Sequence, residues 1–162
     1  MNYRKNLISW MFDYSQKVYT SLFKHHQAWN ISREELLQLP KETLGYHLGQ
    51  FLESNSFELI PKVERHDAYH TLTGYGTNVE DEIALQYLCY GNGKRSPYLL
   101  GAIILGTLIL PDYLQYYFRS YRMGIKAHAF HHYDFKKLLP LSIHDLREVF
   151  FSSQQIPTSI HE

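Results

Sequence analysis

Apolar residues recur at helical rather than strand spacing along most of the chain. Between Tyr3 and His26, Leu7, Trp10, Met11, Tyr14, Val18, Leu22 and Phe23 fall three or four apart and form one stripe. Ser32-Arg33-Glu34-Glu35 carries the serine and glutamate of a capping box and predicts a short helical turn. A helix opened by Pro40 places Leu44, Leu48, Phe51 and Leu52 on its apolar side and ends near Asn55. Phe57 to Ile60 reads as a short extended piece before Pro61. A further helix runs from about Val63 to Thr73 and stops at Gly74-Tyr75-Gly76, where glycine lets the backbone turn. Thr77 with Glu80 three positions on predicts a second capping box, opening a helix that Gly91-Asn92-Gly93 ends. Pro97 to Phe130 reads as a long helical region bent at Pro111, and Ser142 to Phe151 as the last helix. No repeat or linker divides this pattern. It predicts an all-α, single-domain helical bundle of about six to eight helices over residues 1–151, with 152–162 as a flexible polar tail.

Composition narrows the class. At 162 residues, with 44% hydrophobic and 20% charged residues, the chain is long enough for one core and is not disordered in character. Its 14 Tyr, 9 Phe and 2 Trp suit either a thick core or a pocket for a large flat ligand. Sixteen basic residues balance sixteen acidic ones, so no global field draws in nucleic acid. Acids dominate between Asn30 and Glu82, whereas Arg119 to Lys137 is basic and suits either a solvated helix face or an anionic membrane surface. The single cysteine, Cys89, excludes an internal disulfide and a Cys-rich zinc site and fits a reducing compartment. The N-terminus lacks signal- and transit-peptide features. The apolar run Tyr98 to Leu110 is shorter than the roughly 20 residues a membrane-crossing helix needs. The expected location is therefore cytoplasmic, soluble or peripheral to the inner face of a membrane.

The stretch Arg65-His66-Asp67-Ala68-Tyr69-His70, followed after eleven residues by Glu82, carries the chemistry. Residues four apart on a helix differ by about 40° in azimuth, so His66 and His70 share one edge, and Asp67 widens the arc to about 100°. Two imidazoles at this spacing can chelate one ion. The turn at Gly74 to Gly76 allows a following helix to bring Glu82 from a second direction. On its own helix Glu82 shares a face with Val79, Leu85 and Cys89, and an inward carboxylate costs several kcal/mol unless a cation satisfies it. Two nitrogen and two oxygen donors suit Zn²⁺ foremost, with Fe²⁺, Co²⁺, Mn²⁺ or Mg²⁺ as alternatives. Histidines at this spacing also arise by chance in a chain that has ten. His128, His131 and His132 form a weaker cluster, for which roles at the surface or as outer partners of metal ligands are expected. A metal-dependent phosphohydrolase of the His-Asp type would recruit His47 and Asp112 or Asp134, and leaves Glu82 without a role.

H-D-x-x-H, eleven residues, then E is the signature of the Coq-four ubiquinone (coenzyme Q) biosynthesis protein family, and the chain resembles it at His66, Asp67, His70 and Glu82. Similar surroundings are Leu39-Pro40 with Thr43-Leu44-Gly45, Leu72-Thr73-Gly74-Tyr75 with Thr77-Asn78, Tyr121-Arg122-Met123-Gly124, and Leu141 to Arg147. The resemblance implies a helical protein, peripheral to a membrane and often homodimeric, holding one divalent metal beside a cavity for a prenylated aromatic lipid. It implies oxidative decarboxylation at ring carbon one of a prenylated 4-hydroxybenzoate, with Asp67 as a ligand or catalytic base. The alternative is a non-catalytic, lipid-binding scaffold that organises other quinone-biosynthetic enzymes. Tyr98 to Leu110 with Tyr113, Leu114, Tyr117, Phe118 and Tyr121 would line the prenyl groove, or simply form core.

Overall fold

The computed structural model describes residues 3–8, 10, 28–61 and 63–151. Most of the stripe between Tyr3 and His26 lies outside them, as does the tail 152–162; residues 3–8 are helical. Among the described residues there is no strand, only an isolated bridge between Thr43 and Ser142. The all-α expectation holds. The chain divides into two compact units, one containing Tyr75–His132 with the N-terminal residues, the other His25–Gly74 with the C-terminal residues.

The second of these units contains α1 (Arg33–Leu37), α2 (Leu44–Ser54), α3 (Glu64–Thr73) and two later helices, here labelled in chain order once α4 to α6 are placed. The predicted capping box opens α1: Ser32 Oγ accepts from Glu35 N, and Glu35 Oε2 accepts from Ser32 N at 2.7 Å. α2 begins not at Pro40 but after Thr43, whose hydroxyl accepts from Tyr46 N and so satisfies an orphan donor of the first turn. Leu44, Leu48 and Leu52 are fully buried, as the periodicity requires. Leu44 N and Gly45 N donate to Leu141 O and Leu139 O, both at 2.8 Å, which ties the start of α2 to the chain's last segment. A Cβ on Gly45 would fall 3.1 Å from Leu139 O, a tight approach that any larger residue would have to push back by a few tenths of an ångström.

The other unit contains α4 (Val79–Gly91), α5 (Pro97–Ile109), a 3₁₀ turn (Pro111–Tyr113) and α6 (Leu114–Lys126). The expected Thr77 capping box does not form; Asn78 is the N-cap of α4, without a side-chain cap bond. The long helix expected over Pro97–Phe130 is instead two helices bent by 103° across Pro111, and it ends at Lys126. α4 and α6 pack most closely. A Cβ on Gly124 would sit 2.1 Å from Leu88 O, and one on Gly91 2.3 Å from Tyr121 O. Both helices therefore need glycine at their crossing, which gives the Tyr121-Arg122-Met123-Gly124 stretch a packing reason. Asn92 lies just past α4, buried, and holds the segment after α6: its Oδ1 accepts from Phe130 N at 2.9 Å, and its Nδ2 donates to His128 O at 3.1 Å and Gly124 O at 3.3 Å. In this unit Lys5 pairs with Glu80 at 2.8 Å, and Arg4 donates to Ile109 O at the end of α5.

Completing the His25–Gly74 unit are α7 (Phe135–Leu138), a four-residue helix that periodicity is too short to reveal, and α8 (Ile143–Phe150). Ser142 Oγ accepts from Asp145 N and caps α8. Ile143, Leu146 and Phe150 are its buried face, and Phe135 meets Tyr69 of α3 edge to face at 5.0 Å.

Candidate metal centre

α3 carries the motif. It opens on Glu64, a buried carboxylate at the positive end of the helix, which accepts from Trp29 N at 2.9 Å. It closes at Gly74, whose φ of 77° is a left-handed conformation that glycine reaches without strain. Between these ends, Ala68, Tyr69, His70, Thr71, Leu72 and Thr73 are all buried. His70 is therefore committed to the interior, at 2% exposure, and His66 lies one turn before it, half-buried.

The two imidazoles meet. Nε2 of His66 and Nε2 of His70 are 3.1 Å apart, with the rings nearly perpendicular at 88°. In the absence of a cation, one Nε2–H donates to the other nitrogen; with both lone pairs free, the two nitrogens face a common point. Two nitrogens each ~2.05 Å from a zinc-sized ion and 3.1 Å from each other subtend an angle of about 98° at it, within the range of tetrahedral and octahedral sites. The pair thus fits a divalent metal. Behind it, the ring of Phe51 in α2 stacks on His70 with centroids 5.5 Å apart and planes within 13°.

Asp67 is half-buried on the same turn, but among the described residues it does not join His66 and His70 as a three-ligand group. Glu82 is half-buried on α4, within the other unit, one residue after Asp81, and offers a carboxylate oxygen suited to a metal. In that unit Asp81 accepts from Tyr116 OH at 2.8 Å, and burial pushes both the Tyr116 and Cys89 side chains towards their neutral forms. His128 and His132 are exposed and His131 is half-buried beside Gly93. Asp112 and Asp134, the acids the phosphohydrolase reading needs, are engaged by Arg4 and Lys137. His144, Asp145 and Glu148 form a further acidic group on α8, all exposed to solvent.

The contacts that Arg147 and Phe51 make with α3 escaped the sequence reading, which placed Phe51 only on an apolar helix side and Arg147 only at the end of a similar stretch. Arg147 Nε and Nη2 donate to Leu72 O and Thr71 O, each at 3.0 Å, at the C-terminal end of α3. Its cation also bears on His47: burial first, and then the Arg147 charge, hold His47 below the usual histidine value. The folded chain thus takes up this proton at lower pH than the unfolded chain, whose imidazole titrates near ~6.5. As pH falls through that value the unfolded state gains a proton the folded state refuses, so stability falls. His47→Gln is expected to flatten the fall of the urea midpoint between about pH 7 and pH 5. An unchanged slope would show that His47 carries no part of it.

The fold and imidazole pair define an all-helical protein with a candidate metal site on one helix. The family model for the coenzyme Q (ubiquinone) biosynthesis protein Coq4 matches residues 59–151, which include His66, Asp67, His70 and Glu82, and the chain belongs to that family. A role in ubiquinone biosynthesis follows from that membership. A crystal structure from Nostoc punctiforme, of a protein provisionally designated for ubiquinone biosynthesis, shares the fold: the TM-score is 0.65 at 18% identity, over 91% of this chain and 81% of that one. No curated protein matches the chain.

Proposed function

We propose that the chain holds one divalent metal, zinc foremost, on His66, His70 and Glu82, and uses it on a prenylated 4-hydroxybenzoate-like lipid. The observation that carries this reading is the pair of ring nitrogens 3.1 Å apart inside the family-matched region. Two imidazoles and one carboxylate leave coordination positions open, the donor set of catalytic zinc and non-haem iron sites. A bound ion supplies a Lewis acid for the substrate carboxylate. Asp67, standing beside the pair, serves as the base for the ring hydroxyl or as a further ligand. The reaction is oxidative decarboxylation: the carboxyl group leaves carbon one as CO₂ and a hydroxyl group with its oxygen from water replaces it, while dioxygen takes up the two electrons and two protons and leaves as hydrogen peroxide. Pure, metal-loaded full-length chain is expected to release CO₂ from a prenylated 4-hydroxybenzoate in air, with the hydroxylated product seen by mass spectrometry. Binding without turnover would favour the scaffold reading, in which the metal is structural and the chain gathers other quinone-biosynthetic enzymes, as a homodimer.

The lipid enters this proposal through α5 and α6. Leu99, Ala102 and Gly106 face inward, but Leu100, Ile104, Leu105 and Leu108 on α5 are exposed, with Leu114 and Phe118 on α6. The run expected to be groove or core is thus turned outward along one side. Contiguous apolar surface of this kind marks interaction sites, and the exposed Arg119, Arg122 and Lys126 of α6 add attraction to anionic headgroups. Among the described residues no single helix is long and apolar enough to cross a membrane. Burying each such side chain contributes roughly 1.5–3 kcal/mol. Ile104→Glu with Leu108→Glu is therefore expected to lower co-sedimentation with anionic vesicles by about 100-fold. Equal binding by the double variant would remove this face from the proposal.

A further inference from the structure

We infer that Phe51 and Arg147 are positioning residues for the His66–His70 pair, a clamp that holds the His70 ring and the end of its helix. The inference rests on the metal reading above and adds residues outside the ligand motif. A histidine ring turns easily about its last side-chain bond, because that torsion is broad and two-fold. Helical spacing brings His66 and His70 together but does not set the plane of either ring. Phe51 does so for His70: the nearly parallel stack at 5.5 Å and 13° leaves the imidazole one plane, and in that plane Nε2 faces His66 Nε2 at 3.1 Å.

Arg147 acts on the backbone. The last carbonyls of any helix lack partners within it. Here two of them, Thr71 O and Leu72 O, follow His70 directly and receive Nη2 and Nε of one guanidinium. This group is half-buried, and burial lowers its pKa, yet its hydrogen bonds go to carbonyls rather than to a carboxylate. A cation at the negative end of a helix is favourable, and the two-pronged contact locks the height and rotation of α3 against α8. α8 is itself anchored by Ile143, Leu146 and Phe150. The ring is thus held from α2 and its backbone from α8, so the nitrogens are aimed before an ion arrives.

The test is Co²⁺ binding to the full chain, followed by calorimetry and by the visible absorption of the bound ion. Outer partners of metal ligands are worth ~10–100-fold in affinity. Phe51→Leu and Arg147→Met are expected to weaken Co²⁺ binding by about that factor and to shift its absorption bands. Arg147→Lys, which keeps a cation and can reach one carbonyl, is expected to recover part of the loss. Leu110→Ala, a buried change just past α5 and outside α2, α3 and α8, reports loss of stability alone and is expected to bind Co²⁺ like the wild type. Should Arg147→Met fail to fold, Phe51→Leu and Arg147→Lys carry the comparison. Wild-type affinity and spectrum in these variants, or an equal loss in Leu110→Ala, would overturn the inference. A wild-type chain that binds no Co²⁺ would instead remove the metal reading, and the clamp with it.

Discussion

A His70→Ala chain is expected to take up no Zn²⁺ or Co²⁺ at concentrations that load the wild type. The two Nε2 atoms 3.1 Å apart form a two-toothed chelate, and His70, at 2% exposure, is its buried member. Structural zinc sites release about 10–16 kcal/mol over four ligands, so each ligand contributes roughly 3 kcal/mol, a factor of about 100 or more. His66→Ala should lose as much. Both imidazoles must be neutral to bind, so affinity should also fall as pH drops below the unperturbed histidine value of ~6.5. Metal content by mass spectrometry after dialysis, across pH, measures both effects. Full occupancy in His70→Ala, or occupancy constant down to about pH 4, would show that the imidazoles are not the ligands.

The second large effect is on stability. Asn92→Ala is expected to cost about 3 kcal/mol, because two buried groups and one partly buried group lose their partner at roughly 1–3 kcal/mol each. These are Phe130 N, His128 O and Gly124 O, at 2.9, 3.1 and 3.3 Å from the Asn92 amide. The same amide also reaches His131 N and Ala127 O at longer range. One side chain, itself 5% exposed, thus joins the end of α4 to the chain leaving α6. A fall in melting temperature of roughly 10 °C is expected for a chain of this length. A melting temperature within a degree or two of wild type would mean that the segment re-pairs elsewhere.

The amino-acid sequence by itself determined whatever depends on spacing within one helix. The apolar period places Leu44, Leu48 and Leu52 inside, Ser32 and Glu35 close their box, and the four-residue spacing of His66 and His70 brings two rings to one edge. These are local relations, set by 3.6 residues per turn and by nearby donors and acceptors. The motif alone also points to the family whose model matches residues 59–151. Tertiary structure decided what spacing leaves open. Gly91-Asn92-Gly93 reads as a helix stop, and only the fold makes its asparagine a hub between residues more than thirty positions apart. Pro111 announces a bend, but not one of 103°. Nor does the uniformly apolar α5 reveal which side is left outside, since every face of it is greasy enough to be buried. The stack of Phe51 on His70 and the grip of Arg147 on α3 join residues 19 and 75 positions apart. Such pairs are selected by the summed packing of whole helices, a long-range quantity that no local pattern encodes.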